Sequence, residues 1–281
     1  MVYGILGLIN FAHGEVVMIG ALTALTVIKL LADSGLPGTV VVLIGLLAAV
    51  PVCMALGFTI ERIAYRPLRN APRLAPLITA IGVSIVLQQL AMIFWGRNYH
   101  AFPPILPTSS REIGGAHITD VQIVIILLAV AIMAGLMLLV NRTRLGRAMR
   151  ATAENPQIAG LMGVNINVII SATFLIGSAL AAVAGVMVSA NYSIAHYHMG
   201  FILGLKAFTA AVLGGIGNLP GAMLGGVLLG LIESLGAGYI GDLTGGFLGS
   251  HYQDVFAFFV LILVLVFRPS GLMGEKVAER A

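Results

Sequence analysis

The chain has 281 residues, of which 59% are hydrophobic and 9% charged, with a formal net charge of +4. Charged residues approach about a quarter of an ordinary soluble domain, so this composition excludes a soluble enzyme and points to a polytopic membrane protein. A basic balance would suggest nucleic acid in a soluble chain, but here the arginines fall between apolar spans, where they report topology, and no nucleic-acid partner is expected.

The chain opens inside a polar motif, Gly7-Leu-Ile-Asn-Phe-Ala-His-Gly-Glu-Val-Val-Met-Ile-Gly20, which sets Asn10, His13 and Glu15 in an otherwise apolar run. Ionisable groups at membrane depth cost at least about 2 to 3 kcal/mol, so they face a protein interior, a water-filled path or a partner rather than lipid. The expectation is a substrate path or gate, with Gly14 and the Asn10 amide supplying the break and cap of a short or re-entrant helix near residues 7–15. No cleavable signal pattern is visible at the amino end.

A helix needs roughly 20 apolar residues to cross a bilayer. Glu15 to Leu31 is a first span, followed by Thr39 to Ile60, Leu74 to Trp95, Val121 to Val140 and Val164 to Ala190, none of these four carrying a charge. Ala207 to Ile232 is apolar but interrupted by Gly214-Gly-Ile-Gly-Asn-Leu-Pro220, which reads as two helices meeting at a break. Val255 to Phe267 is short and extends back to Tyr252. The fold class is therefore all-α, a polytopic transmembrane helical bundle of seven or eight membrane segments, with broken or re-entrant helices near residues 7–15 and 214–221.

Eight of the twelve arginines lie in two loops, Arg62, Arg66, Arg69 and Arg73 in one and Arg142, Arg144, Arg147 and Arg150 in the other. The positive-inside rule makes both cytoplasmic and puts the Gly96 to Asp120 loop outside. Alternation then places Lys29 to Gly38 and Asn191 to Gly200 outside, the Gly217 to Pro220 break inside or dipping inward, and the tail Arg268 to Ala281 inside. Small residues at every fourth position let helices approach closely. Gly177, Ala181, Gly185 and Ser189 form such a ridge, as do Gly221 with Gly225 or Gly226 with Gly230.

The early segment with Asn10, Gly14 and Gly20 and the late one with Asn218, Pro220, Gly221, Gly225 and Gly226 echo each other, and broken helices at matching places in two halves point to a transport path. Along that path the expected residues are Asn10, His13, Glu15, Lys206, Gly214, Gly215 and Asn218. Lys206 can also be read as snorkelling to the interface, Glu233 as meeting a headgroup, and Gln88 and Gln89 as interhelical hydrogen bonds.

Between the third and fourth uncharged runs, residues 142–165 are too polar to cross the membrane. Met149 and Ala153, then Ile158, Leu161 and Met162 beyond Pro156, form apolar patches beside Arg147, Arg150 and Glu154. Such a loop can present one or two short helices to a groove in another protein, or lie on anionic lipid headgroups. The single Cys53 and the six histidines show no CxxC or HxxxH pair, so neither a disulfide nor a metal site is expected. No cofactor is expected either.

Several separated strings resemble one family in order. Asn10-Phe-Ala-His-Gly-Glu15, Glu61-Arg-Ile-Ala-Tyr-Arg-Pro-Leu-Arg69, Ile78-Thr-Ala-Ile-Gly-Val-Ser84, Gly146-Arg-Ala-Met-Arg-Ala-Thr-Ala-Glu-Asn155 and Lys206-Ala-Phe-Thr-Ala-Ala-Val-Leu-Gly-Gly-Ile-Gly-Asn-Leu-Pro-Gly221 are similar to the H-type permease subunit of bacterial branched-chain amino-acid ABC transporters. The resemblance implies one permease domain over residues 1–281 in the inner membrane, a second related permease subunit, two cytoplasmic ATPase subunits and a periplasmic amino-acid-binding protein delivering leucine, isoleucine or valine. It implies that residues 142–165 couple to the ATPase through Arg147, Arg150, Glu154, Asn155, Pro156 and Gly160. Family members carry a further apolar helix ahead of Met1, so a first transmembrane helix is expected to be missing.

The sequence contains no Gly-rich phosphate loop ending in Lys-Ser or Lys-Thr, so the chain is not expected to be an enzyme, and ATP hydrolysis falls to partners. The alternatives are an ABC permease for urea, short amides or sugars, an ion-coupled secondary transporter and a channel subunit. The binding protein, rather than this chain, would select the solute.

Overall fold

The computed structural model describes residues 10–69, 71–72, 74–104, 109–113, 115–215, 217–245, 252–268 and 270–274. Part of the expected early break (residues 7–9), Arg73 and the tail beyond residue 274 lie outside them. The helices are α1 (His13–Leu30), α2 (Gly38–Ile60), α3 (Leu74–Trp95), α4 (Asp120–Arg142), α5 (Arg144–Glu154), α6 (Pro156–Leu161), α7 (Ile166–Tyr192), α8 (Met199–Gly214), α9 (Leu219–Leu243) and α10 (Gln253–Phe267). Among the described residues six helices are long and apolar enough to cross a membrane, and α8 and α10 are shorter apolar helices. The chain divides into two compact units, one ending at Gly204 and one beginning at Leu205.

In the first unit α1, α2 and α7 pack mutually and hold the core, including Leu22, Leu25, Cys53, Phe174, Ala182 and Val186. The α1 window is 67% buried, whereas none of the α4 window is. The α7 ridge is used as its spacing suggests: Ala181, Gly185 and Ser189 are all buried, and a Cβ on Gly185 would strike the Val17 carbonyl. Gly14 sits one residue inside α1 and does not break it. A Cβ there would strike the Gly200 carbonyl and come within 2.8 Å of Gly204 Cα, so the glycine serves close helix approach rather than a turn.

The basic segment after α2 is not a loop. Glu61–Tyr65 continues as a π-helix and Arg66–Leu68 as a 3₁₀ turn, because the Glu61 carboxylate finds partners inside the bundle and Pro67 closes the helix only one turn later. The 96–120 connection also carries short strands. β1 (His100–Ala101) pairs antiparallel with β4 (Ile194–Ala195), and β2 (Ser110–Ile113) pairs with β3 (Ala116–Thr119). Thr119 then starts α4 with a capping box, exchanging hydrogen bonds with Gln122.

The β1–β4 pairing joins the Gly96 to Asp120 and Asn191 to Gly200 connections, and Lys29 Nζ lies 3.5 Å from His100 Nδ1. Three connections expected on one side of the membrane thus meet at one end of the bundle. At the other end, Arg69 donates to Asn167 Oδ1 at 2.6 Å, joining the basic segment after α2 to the first turn of α7.

The second unit holds most of α8, with α9 and α10, and its small buried cluster is Ala210, Leu229 and Ala257. The expected break falls where the sequence places it, between Gly214 and Leu219, and Gly215 and Gly217 take φ of +111° and +88°. Only one of the two α9 ridges is a contact. A Cβ on Gly221 or Gly225 would strike the carbonyls of Gly214 or Ala210, whereas nothing lies within 4 Å of one on Gly230.

Candidate functional site

Glu15 is fully buried on the first turn of α1. Its Oε1 accepts from Ser84 Oγ at 2.9 Å and Gln88 Nε2 at 2.7 Å, both on α3. Oε2 is buried with no hydrogen-bond partner among the described residues and lies against Gly200, where a Cβ would strike it. Ser84 and Gln88 are four residues apart on an otherwise apolar helix, so one face of α3 carries both donors. Of the two glutamines expected to bond between helices, Gln88 does so and Gln89 is exposed.

Asn10 has a different job from the one expected. The N-cap of α1 is Ala12, with no side-chain cap, and the Asn10 Oδ1 instead accepts from Tyr65 OH at 3.0 Å. The amide is therefore spent on the π-helix, and His13 is half-buried beside it at the start of α1. A carboxylate held only by neutral donors with one oxygen spare is a site that could take a proton or a cationic group, and this is the chemistry the N-terminal motif makes available.

A second buried carboxylate, Glu61, had no role in the sequence reading. It is fully buried, pairs with Arg69 and accepts from Ser171 Oγ at 2.7 Å. The signal available in sequence was a glutamate directly abutting an uncharged span. It ties the end of α2 to α7.

Residues 142–165 form two short helices. Thr143 caps α5 by accepting from Gly146 N at 3.0 Å, and Asn155 caps α6 by accepting from the Gln157 and Ile158 amides, with Pro156 in the first turn. Arg150 donates to the Val140 carbonyl at the end of α4, so it braces the loop from within. Met149 is buried too, not part of an exposed edge as its position suggested, because α5 lies on α4 and α7. Arg147, Glu154 and Gly160 are exposed, and the free apolar edge is Ile158, Leu161 and Met162, with Leu161 87% exposed.

In the second unit Lys206 Nζ lies 3.0 Å from Glu233 Oε2 and 2.8 Å from Asp254 Oδ1. Lys206 is thus paired within the protein instead of snorkelling, and Glu233 meets it instead of a headgroup. Asp254 was not foreseen, since an acid at the start of α10 reads as an interfacial residue. Asn218 is a true N-cap, accepting from Gly221 N at 2.9 Å, and its Nδ2 donates to the Met273 carbonyl at 2.9 Å. Leu272 N and Met273 N donate to the Leu213 and Gly214 carbonyls, satisfying the end of α8. Gly214, Gly215 and Asn218 therefore build and stitch the break. Among the described residues no group of three or more His, Cys, Asp or Glu is placed to hold a metal ion.

The family model described as branched-chain amino acid transport system / permease component matches residues 1–265. The chain is 48% identical over an alignment of 285 residues to the high-affinity branched-chain amino acid transport system permease protein BraD of Pseudomonas aeruginosa, covering 100% of this chain and 90% of the relative. It is 43% identical, with the same coverage, to the permease protein LivH of the corresponding system in Escherichia coli K12. The autoinducer 2 import system permease protein LsrC of Yersinia enterocolitica is 30% identical over 202 residues, or 69% of this chain and 53% of the relative. No solved structure matches the chain.

Proposed function

This chain belongs to the branched-chain amino acid transport permease family, and from that premise we propose that it conducts leucine, isoleucine or valine across the inner membrane under the drive of ATP hydrolysis in partner subunits. It is a multi-pass membrane permease of the ABC type, one component of a larger transport system. The partners we assign are a second related permease subunit, two cytoplasmic ATPase subunits and a periplasmic binding protein. The branched-chain assignment follows the full-length identity to BraD and LivH, which exceeds that to the autoinducer permease.

The observation that carries the coupling is the α5–α6 segment: an exposed edge of Ile158, Leu161 and Met162 on a base fixed to two spans. Arg150 and the close seat of Gly146 on the Leu139 and Val140 carbonyls bind α5 to α4. The Asn165 cap joins the segment directly to α7, whose Gly185 is seated on α1. A push from an ATPase on the α5–α6 edge would therefore reach α1 and the Glu15 site through packed elements. We keep Asn10, His13 and Glu15 as path residues of the first unit; in the second, Lys206 is held in its ion cluster and Gly214, Gly215 and Asn218 shape the break.

Reconstitution of the full chain with its partner subunits tests the reading. Labelled leucine should enter proteoliposomes only with ATP and the binding protein. Uptake that follows a sodium or proton gradient without the ATPases would overturn the coupling, and ATP-driven uptake of urea or a sugar but not leucine would overturn the substrate class. Leu161→Asp should fold normally and lose ATPase co-purification. Orientation is read separately by cysteines at 66, 111 and 147 in a Cys53→Ala background, where only position 111 should react with an impermeant thiol reagent from outside.

A further inference from the structure

We propose that the first unit carries a site for one anionic phospholipid, in a groove of about 410 Å³ between the end of α2 and the start of α7. Arg62 and Arg66 line its mouth with Asn165 and Asn167, and Phe58, Val168 and Leu175 form its wall. The arginines are four apart, and so share a face. Neither makes an ion pair with a described carboxylate, and the nearest acid in sequence, Glu61, is buried and already engaged by Arg69 and Ser171.

The amides add two donors to the mouth. Asn165 Oδ1 accepts from Val168 N at 3.3 Å, and Asn167 Oδ1 accepts from Arg69 Nη1 at 2.6 Å. Because a backbone N–H and a guanidinium can only donate, both oxygens are fixed and both amides are left offering NH₂ groups. Two guanidiniums and two NH₂ groups, beside a Ser171 hydroxyl whose proton is already given to Glu61, match a phosphodiester, which brings only acceptors.

The wall supplies the second half of the ligand. Leu175 lies nine residues past the first residue of α7, roughly 14 Å deeper along the helix at 1.5 Å per residue. Phe58 lies one turn before Arg62, and Phe58 and Val168 are 41% and 58% exposed. Donors at the end of two spans with an apolar track running inward fit a lipid with its phosphate at the mouth and an acyl chain along the track, and the inner leaflet's anionic lipids have that chemistry. This site is independent of the transported solute.

The test uses the full chain purified in detergent, with native mass spectrometry reading retention of phosphatidylglycerol against phosphatidylcholine of identical chains. Phosphatidylglycerol should be preferred, and Arg62→Gln and Arg66→Gln should each reduce its retention about fivefold, while Arg97→Gln leaves it unchanged. Equal retention by wild type and the double variant would overturn the site. So would full displacement of the lipid by inorganic phosphate, which would mark a free-anion site, or unchanged lipid retention with lost ATPase co-purification, which would mark a protein surface. A photoreactive phosphatidylglycerol needs no variant: label should concentrate in residues 58–66 and 165–175, and even labelling over all spans would refute the assignment.

Discussion

The two units each hold charge among apolar helices, and they do so by opposite means. Glu15 has neutral donors, Ser84 and Gln88, on one oxygen and, among the described residues, no hydrogen-bond partner on the other. Lys206 is clasped by Glu233 and Asp254, so charge is answered by charge. The difference teaches what each site can lose. Removing one member of a partly buried ion cluster strands the others, whereas neutralising a carboxylate held by neutral donors relieves desolvation and can keep its hydrogen bonds. The first pattern suits a fixed joint, the second a group whose charge is needed for something other than holding the fold.

The largest effect is expected at the ion cluster. Lys206→Met leaves Glu233 and Asp254 facing each other, and should cost about 2 to 3 kcal/mol, below the fully buried case because Asp254 remains 38% exposed. Thermal unfolding of the full chain in detergent measures it, and adding Glu233→Gln with Asp254→Asn should restore most of the loss. If Lys206→Met unfolds like wild type, the cluster is not a joint and the contrast fails.

Next comes the wall of the Glu15 site. Gly14→Ala places a methyl on the Gly200 carbonyl and should cost roughly 1 to 3 kcal/mol by overpacking. Gly230→Ala, where nothing lies within 4 Å, should be neutral or slightly stabilising. Equal unfolding temperatures for the two variants would mean that α1 does not pack on Gly200 as described.

Ser84→Ala removes one donor while Gln88 still serves the same oxygen, so a loss of about 1 kcal/mol is expected. Glu15→Gln should change stability least, within about 0.5 kcal/mol, because its amide oxygen can still accept from both α3 donors. Uptake per folded complex should nonetheless fall in Glu15→Gln. Unchanged specific activity would make Glu15 scaffold, and the two charge sites would then differ in construction but not in purpose.

The two asparagine-led segments show how far the sequence reaches. Asn10 and Asn218 stand alike in sequence, each ahead of a glycine-containing apolar helix, yet Asn218 caps α9 while Asn10 serves Tyr65, 55 residues away. Gly14 reads as a helix break and is a contact surface. Met149 and Ile158 both read as exposed apolar residues of the 142–165 segment, and only Ile158 is.

What the sequence determined by itself was local. The spans, the break at residues 214–218, the Thr119 and Asn155 caps and the basic segments depend on hydropathy over roughly 20 residues or on groups within one turn, and those are written in neighbouring residues. Tertiary structure decided the partners: Glu15 with Gln88 across 73 residues, Glu61 with Ser171 across 110, and β1 with β4. Those pairings depend on which small residues let which helices approach. An apolar span looks the same from within whether its face is left uncovered by this chain, as on α4, or meets a carboxylate, as on α3.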